Sequence, residues 1–320
     1  MGHSFTKTGE HIFGEIHVNR FELHNGLKLI VWEDHRAPVF SFQTWFGVGS
    51  RHEEPGRTGI AHLFEHLMFK ATKNMKEGEF DRIMEAAGAQ TNAATWVDWT
   101  YYREKLPAGS LDLVCKLEAD RMENMILNKD QLESEREVVV NERLLRVDND
   151  PDGTLYEQLY KLAYGDHPYG WPTIGWRDDI RAISLEDCLA FYKRYYAPNN
   201  ATIVVVGDVD TDELLTLSER YYGHLEAQDV VKESPPTELD FAGPKRAEFE
   251  LELSAERGIY AWHAVEGTHD NHAALQILDE VLTGGESSRL YKRLVIDEEL
   301  ATSCGGYRSP RTFQRKITTR

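Results

Sequence analysis

The chain is 320 residues long, 41% hydrophobic and 28% charged, with 36 basic against 54 acidic side chains and a net charge of −18. Such a chain can bury a substantial core in one or two domains, and its acidic balance argues against nucleic acid or an anionic membrane as partner. No run of 18 apolar residues offers a membrane span and no apolar signal segment follows Met1, so a soluble protein is expected.

Taken in order, the elements predict an α+β fold. Phe21 to Glu33 and Val39 to Gly47 read as a strand pair, and an apolar helix follows from about Thr58. A helix over Glu77 to Ala87 stops at Gly88, and the run from Gln90 to Tyr102, rich in Thr, Trp, Val and Tyr, reads as a strand. Two long helices are expected over Gly109 to Leu127 and Asp130 to Arg146, before the turn cluster Asp148 to Gly153. Cys115 falls in the first of these as a small core residue; with Cys188 and Cys304 it forms neither a metal motif nor a disulfide framework. A helix over 154 to 163 leads into a Gly/Pro/Trp-rich loop over 165 to 176. Ser184 caps a helix to Tyr195, residues 201 to 207 form a buried strand, and 211 to 222 form a helix. The polar stretch 226–244, with Ser234-Pro-Pro, reads as a linker. Beyond it come two strands, Ala247 to Leu253 and Gly258 to Val265, and a helix from Asn271 to Leu282.

The helix near residue 60 carries His62-Leu-Phe-Glu65-His66. Residues four apart share a helix face, so both imidazoles can close on one metal ion, with Glu65 at the edge of that face within reach of a water. The order H-x-x-E-H is the inverzincin signature. The plainer reading is an amphipathic helix whose histidines face inward or outward without a shared ligand. A catalytic zinc takes three protein ligands and leaves one position open. In the helix Asp130 to Leu145, Glu135 and Glu142 lie seven apart on one face, with Val138, Val139 and Leu145 expected to supply apolar contacts. One carboxylate could meet the metal and the other support it, or both could sit on a solvated acidic face. Small residues at Asn92, Ala93 and Ala94 would let another backbone approach that strand, which is otherwise a plain edge strand.

His62-x-x-Glu65-His66 with a glutamate 76 positions beyond His66, inside Glu135-Arg-Glu-Val-Val-Val-Asn-Glu142-Arg, resembles the pitrilysin/insulinase family of zinc metallopeptidases. The likeness is nearest to bacterial members related to the mitochondrial processing peptidase. Gly47-Val-Gly-Ser-Arg51, Thr91-Asn-Ala-Ala-Thr95, His167-Pro-Tyr-Gly170 and Tyr196-Ala-Pro-Asn-Asn200 carry it along residues 16 to 310. The resemblance implies that His62, His66 and Glu142 hold one zinc, that Glu65 is the general base and that Glu135 is a supporting carboxylate. It implies that peptide adds as a strand beside Asn92, Ala93 and Ala94. It also implies a mostly antiparallel sheet with helices packed on one side, duplicated in two similar halves. On that basis residues 1–225 are the zinc-bearing domain and 245–320 a partial, metal-free copy in which Ile277 and Val281 stand where His62 and His66 stood.

The second half departs from the family in two ways. It is short and ends in a basic tail, Arg311 to Arg320, unlike the family's continuation, so a truncated or frameshifted chain is expected. An Arg/Tyr pair seven apart, which in relatives contacts substrate, is replaced by Val295 and Thr302. A homodimer or a heterodimer with a chain supplying that pair would complete the site. The expected activity is zinc-dependent endopeptidase action on short or unfolded polypeptides in the bacterial cytoplasm or periplasm. The alternative is a non-catalytic zinc-binding subunit or scaffold of a heteromeric complex.

Overall fold

The computed structural model describes residues 4–230, 243–251 and 253–309. Its first compact unit comprises the described residues of Met1–Glu233 and Ala247–Glu252, and its second those of Ser234–Arg246 and Leu253–Arg320.

The first unit is built on a seven-stranded sheet of β1 (Thr6–Phe13), β2 (Ile16–Glu22), β3 (Lys28–Glu33), β4 (Val39–Phe46), β5 (Gln90–Thr95), β6 (Thr100–Pro107) and β7 (Ala201–Gly207). The spatial order is β1-β2-β3-β7-β4-β6-β5. Only β3 and β7 run parallel; every other neighbour is antiparallel. Alternation chooses the covered face. Phe40, Phe42, Thr44 and Phe46 of β4, Tyr102 and Leu106 of β6, and Ile203 and Val205 of β7 are buried, while the intervening residues are partly or fully exposed.

Helices fill the buried side: α1 (Ile60–Leu67), α2 (Glu79–Ala86), α3 (Leu111–Asn124), α4 (Lys129–Arg143), α5 (Pro151–Tyr164), α6 (Arg177–Ala182), α7 (Leu185–Tyr195) and α8 (Thr211–Tyr222). Ser184 caps α7 by accepting the Asp187 N–H, as the sequence predicts. Leu63, Phe64 and Leu67 of α1 are wholly buried, and Phe64 packs on Phe191, Tyr192 and Tyr196. Cys115 is buried in α3.

Four expectations need correction. The run from Gln90 to Tyr102 is not one strand: it divides into β5 and the start of β6, which pair as an antiparallel hairpin. The segments Phe21 to Glu33 and Val39 to Gly47 are not partners: the first is itself a hairpin, β2–β3, turning at Gly26 (φ 85°), and β7 lies between β3 and β4. The parallel β3–β7 pairing joins residues about 170 positions apart, which local alternation cannot reveal. On α4 the apolar contacts come from Leu132, Val139 and Val140, whereas Val138 and Leu145 are exposed. Ala247 to Leu253 and Gly258 to Val265 form no strand among the described residues. Two short strands without further partners bury too little to persist. In the second unit the expected helix is present as α9 (His272–Thr283). Most of the expected linker and the basic tail lie outside the described residues.

Candidate metal centre

α1 is only eight residues long, yet its start is tightly fixed. Gly59 adopts φ 90°, in the left-handed region, and has no side chain to cap the helix. Glu53 supplies the cap instead: its two carboxylate oxygens accept the Gly59 and Ala61 N–H groups at 2.8 and 2.9 Å. Burial pushes the Glu53 carboxyl up to about 8, against the pull of those two N–H groups.

His62 and His66 emerge one turn apart, with ring centroids 4.9 Å from each other. Glu142, on the last turn of α4, lies opposite. Its Oε2 is 3.6 Å from His62 Nε2 and 3.5 Å from His66 Nε2. One ligand atom from each of the three residues falls within a 4.8 Å span. Metal–ligand bonds of about 2.0–2.2 Å at tetrahedral angles place ligand atoms about 3.3–3.6 Å apart, so these donors fit one zinc ion. Among the described residues this is the one such cluster.

The electrostatics suit a cation. Burial pushes His62 down to about 4, keeping it neutral as a ligand must be. For His66 burial acts in the same direction, but hydrogen bonding to Glu135 and Glu142 overrides it and raises the imidazole to about 9. The surrounding carboxylates therefore favour positive charge at this point, whether proton or metal. Hydrogen bonding with His66 holds Glu142 below the usual carboxylate range, and Arg146 adds to this, 3.1 Å from its Oε1.

Glu135 faces His66 Nδ1 at 3.4 Å and pairs with Lys70 at 2.6 Å. Its interaction with His66 lowers its pKa although burial opposes this. A carboxylate behind an imidazole fixes the ring's orientation and tautomer. Glu65 points towards β5, where the Thr95 hydroxyl donates to its Oε2 at 2.6 Å. Burial raises the Glu65 carboxyl above its ordinary value, which makes it a better base than a solvated carboxylate. A cavity of about 440 Å³ adjoins these groups, with Glu65, His66 and Glu135 on one side and Thr91, Asn92 and Ala93 of β5 on another. β5 is an edge strand, and among the described residues its outer backbone groups have no neighbouring strand. Ala94 lies on the same strand but outside the cavity lining.

The five residues expected at a metal site, His62, Glu65, His66, Glu135 and Glu142, lie together. The sequence alone assigns no role to Lys70 or Thr95. Lys70 lies beyond the end of α1, in the turn that follows Leu67, so helix spacing does not reveal it; Thr95 meets Glu65 only through the β5–α1 packing.

Two family profiles match the chain. Residues 29–176 match insulinase (peptidase family M16), and residues 182–317 match the peptidase M16 inactive domain. The zinc protease PqqE of Helicobacter pylori is 37% identical over 287 residues, covering 88% of this chain. The chain spans 64% of that relative's length. The crystal structure of a protease from Helicobacter pylori superposes with a TM-score of 0.80 at 32% identity, covering 93% of this chain and 73% of that one. The first half of the periplasmic protease PqqL from Escherichia coli gives a TM-score of 0.63 at 25% identity, over 68% of this chain and 48% of that one.

Proposed function

Because this chain belongs to the insulinase (M16) family of peptidases, we propose that it is a zinc-dependent endopeptidase for short or unfolded polypeptides. The observation that carries the reading is the meeting of His62, His66 and Glu142 beside a raised, hydrogen-bonded Glu65. In this reading the first three hold one zinc ion per chain. Zinc held there supplies the Lewis acidity that makes water a usable nucleophile near neutral pH.

The chain's own groups do the rest. Thr95 anchors Oε2 of Glu65, leaving Oε1 to accept the proton from the attacking water and later pass it to the leaving amine. Glu135 keeps the His66 ring oriented and is itself held by Lys70. The peptide adds as a strand along β5 beside Asn92, Ala93 and Ala94, recognised through main-chain hydrogen bonds, which suits loose sequence preference. Residues 1–225 act as the zinc-bearing domain, 226–244 as the linker, and 245–320 as a partial metal-free copy. The compartment is the bacterial cytoplasm or periplasm; among the described residues no helix is long and apolar enough to cross a membrane.

The second reading is a zinc-binding subunit that cleaves only with a partner. It is favoured by Val295 and Thr302 standing where the family resemblance implies an Arg/Tyr pair. Hydrolysis of a mixed pool of quenched peptides, with and without a zinc chelator, separates the two. Chelator-sensitive cleavage by the chain alone supports the first. Absence of cleavage from zinc-loaded protein supports the second and directs the search to a chain that completes the site.

A further inference from the structure

α4 carries a second pattern one residue out of step with its two glutamates. Arg136 and Arg143 follow Glu135 and Glu142, and so lie about 100° further round the helix. While the glutamates face α1, both arginines reach carbonyl oxygens of the segment between residues 175 and 183. Arg136 Nη1 donates to the Arg181 and Ile183 carbonyls at 2.9 and 3.0 Å. Arg143 Nη1 donates to the Gly175 carbonyl at 2.8 Å, and its guanidinium is also gripped by Glu157 at 2.7 Å.

That same segment is tied to the start of α1. Asp179 accepts the Thr58 hydroxyl at 2.7 Å, and the Thr58 oxygen in turn accepts the Trp176 N–H at 2.9 Å. Gly175 and Gly59 meet backbone to backbone. Both have positive φ, and a Cβ on Gly175 would lie 2.4 Å from the Thr58 carbonyl oxygen and 2.5 Å from Gly59 Cα. Neither position tolerates a side chain. One rigid segment therefore touches the residue after Glu142 on one side and the residues just before α1 on the other. Arg143 is 5% exposed and Thr58 is 1% exposed, so water does not loosen these contacts.

We infer that Arg143 is a positioning residue: through the Gly175 carbonyl it sets the spacing of α4 from α1, and with it the distance of Glu142 from His62 and His66. The inference rests on the proposed metal reading of those three residues. A donor set held at tetrahedral spacing before the ion arrives loses less order on binding, and outer-shell groups of this kind typically contribute about 10–100-fold to metal affinity.

The test uses the full chain. Zinc affinity is measured by competition with a chromophoric chelator, and ligand geometry by the visible absorption of the Co²⁺-loaded protein. Arg143→Met should weaken zinc binding about 10-fold or more and alter the Co²⁺ bands, with Arg143→Lys intermediate. Asp179→Ala, at the other end of the segment and touching no metal ligand, removes the acceptor of the Thr58 hydroxyl and should shift both readouts in the same direction by less. A folded Arg143→Met variant with unchanged affinity and Co²⁺ spectrum would overturn the inference, leaving Arg143 a purely stabilising buried ion pair. Should that variant fail to fold, an unchanged Asp179→Ala overturns it equally. Wild-type protein that binds neither ion overturns the metal reading itself, and this inference with it.

Discussion

α1 and α9 have similar amphipathic character and very different fates. α1 has eight residues and buries Ile60, Ala61, Leu63, Phe64 and Leu67 beneath a sheet, between α4 and α7. α9 has twelve residues and buries none; its Ile277 and Val281 are 67% and 42% exposed. A short helix becomes a site when its surroundings fix its rotation to within a fraction of a turn. In α1 the buried face locks Leu63 and Phe64 inward, which presents His62, Glu65 and His66 towards α4 and β5. α9 carries neither ligands nor a buried face, so its side-chain identities are only loosely determined by packing.

Several changes would break or sharpen this contrast. The largest effect is expected from His66→Ala, which removes one of three ligands: zinc content by atomic absorption should fall from one per chain to nearly none, and retention of stoichiometric zinc would move the metal elsewhere. Glu65→Gln comes next, with peptide turnover down about 10²–10⁴-fold, the usual contribution of a positioned base. Leu63→Ala should cost about 2–5 kcal/mol in chemical unfolding of the first unit, because it empties a wholly buried position. Glu135→Gln should weaken zinc about 10–100-fold without abolishing binding, by loosening the His66 ring. Smallest of all, Ile277→Ser on α9 should change stability by no more than about 0.5 kcal/mol, since the side chain is exposed. A large loss there would show that α9 is covered in solution.

What the sequence revealed follows from the range over which its signals act. The H-x-x-E-H spacing and the Glu135–Glu142 face are helix-periodic, and each lies within about two turns; so does the Ser184 cap. Their meeting across 76 positions, from His66 to Glu142, came through family resemblance and not from periodicity. β1 has no local mark in the sequence, because its residues are nearly all exposed and carry no apolar alternation. The insertion of β7 between β3 and β4 is a through-space choice with no local mark. Thr95 on Glu65, Arg143 on Gly175 and Glu53 at the start of α1 belong to the same class: ordinary residue types whose importance appears only when distant segments pack.

The most direct test of the central claim is a parallel measurement of zinc content and peptide cleavage for the wild-type chain and Glu65→Gln. The account predicts one zinc in each, chelator-sensitive cleavage by the wild type and cleavage slowed about 10²-fold or more in the variant. Cleavage by Glu65→Gln at the wild-type rate would contradict it.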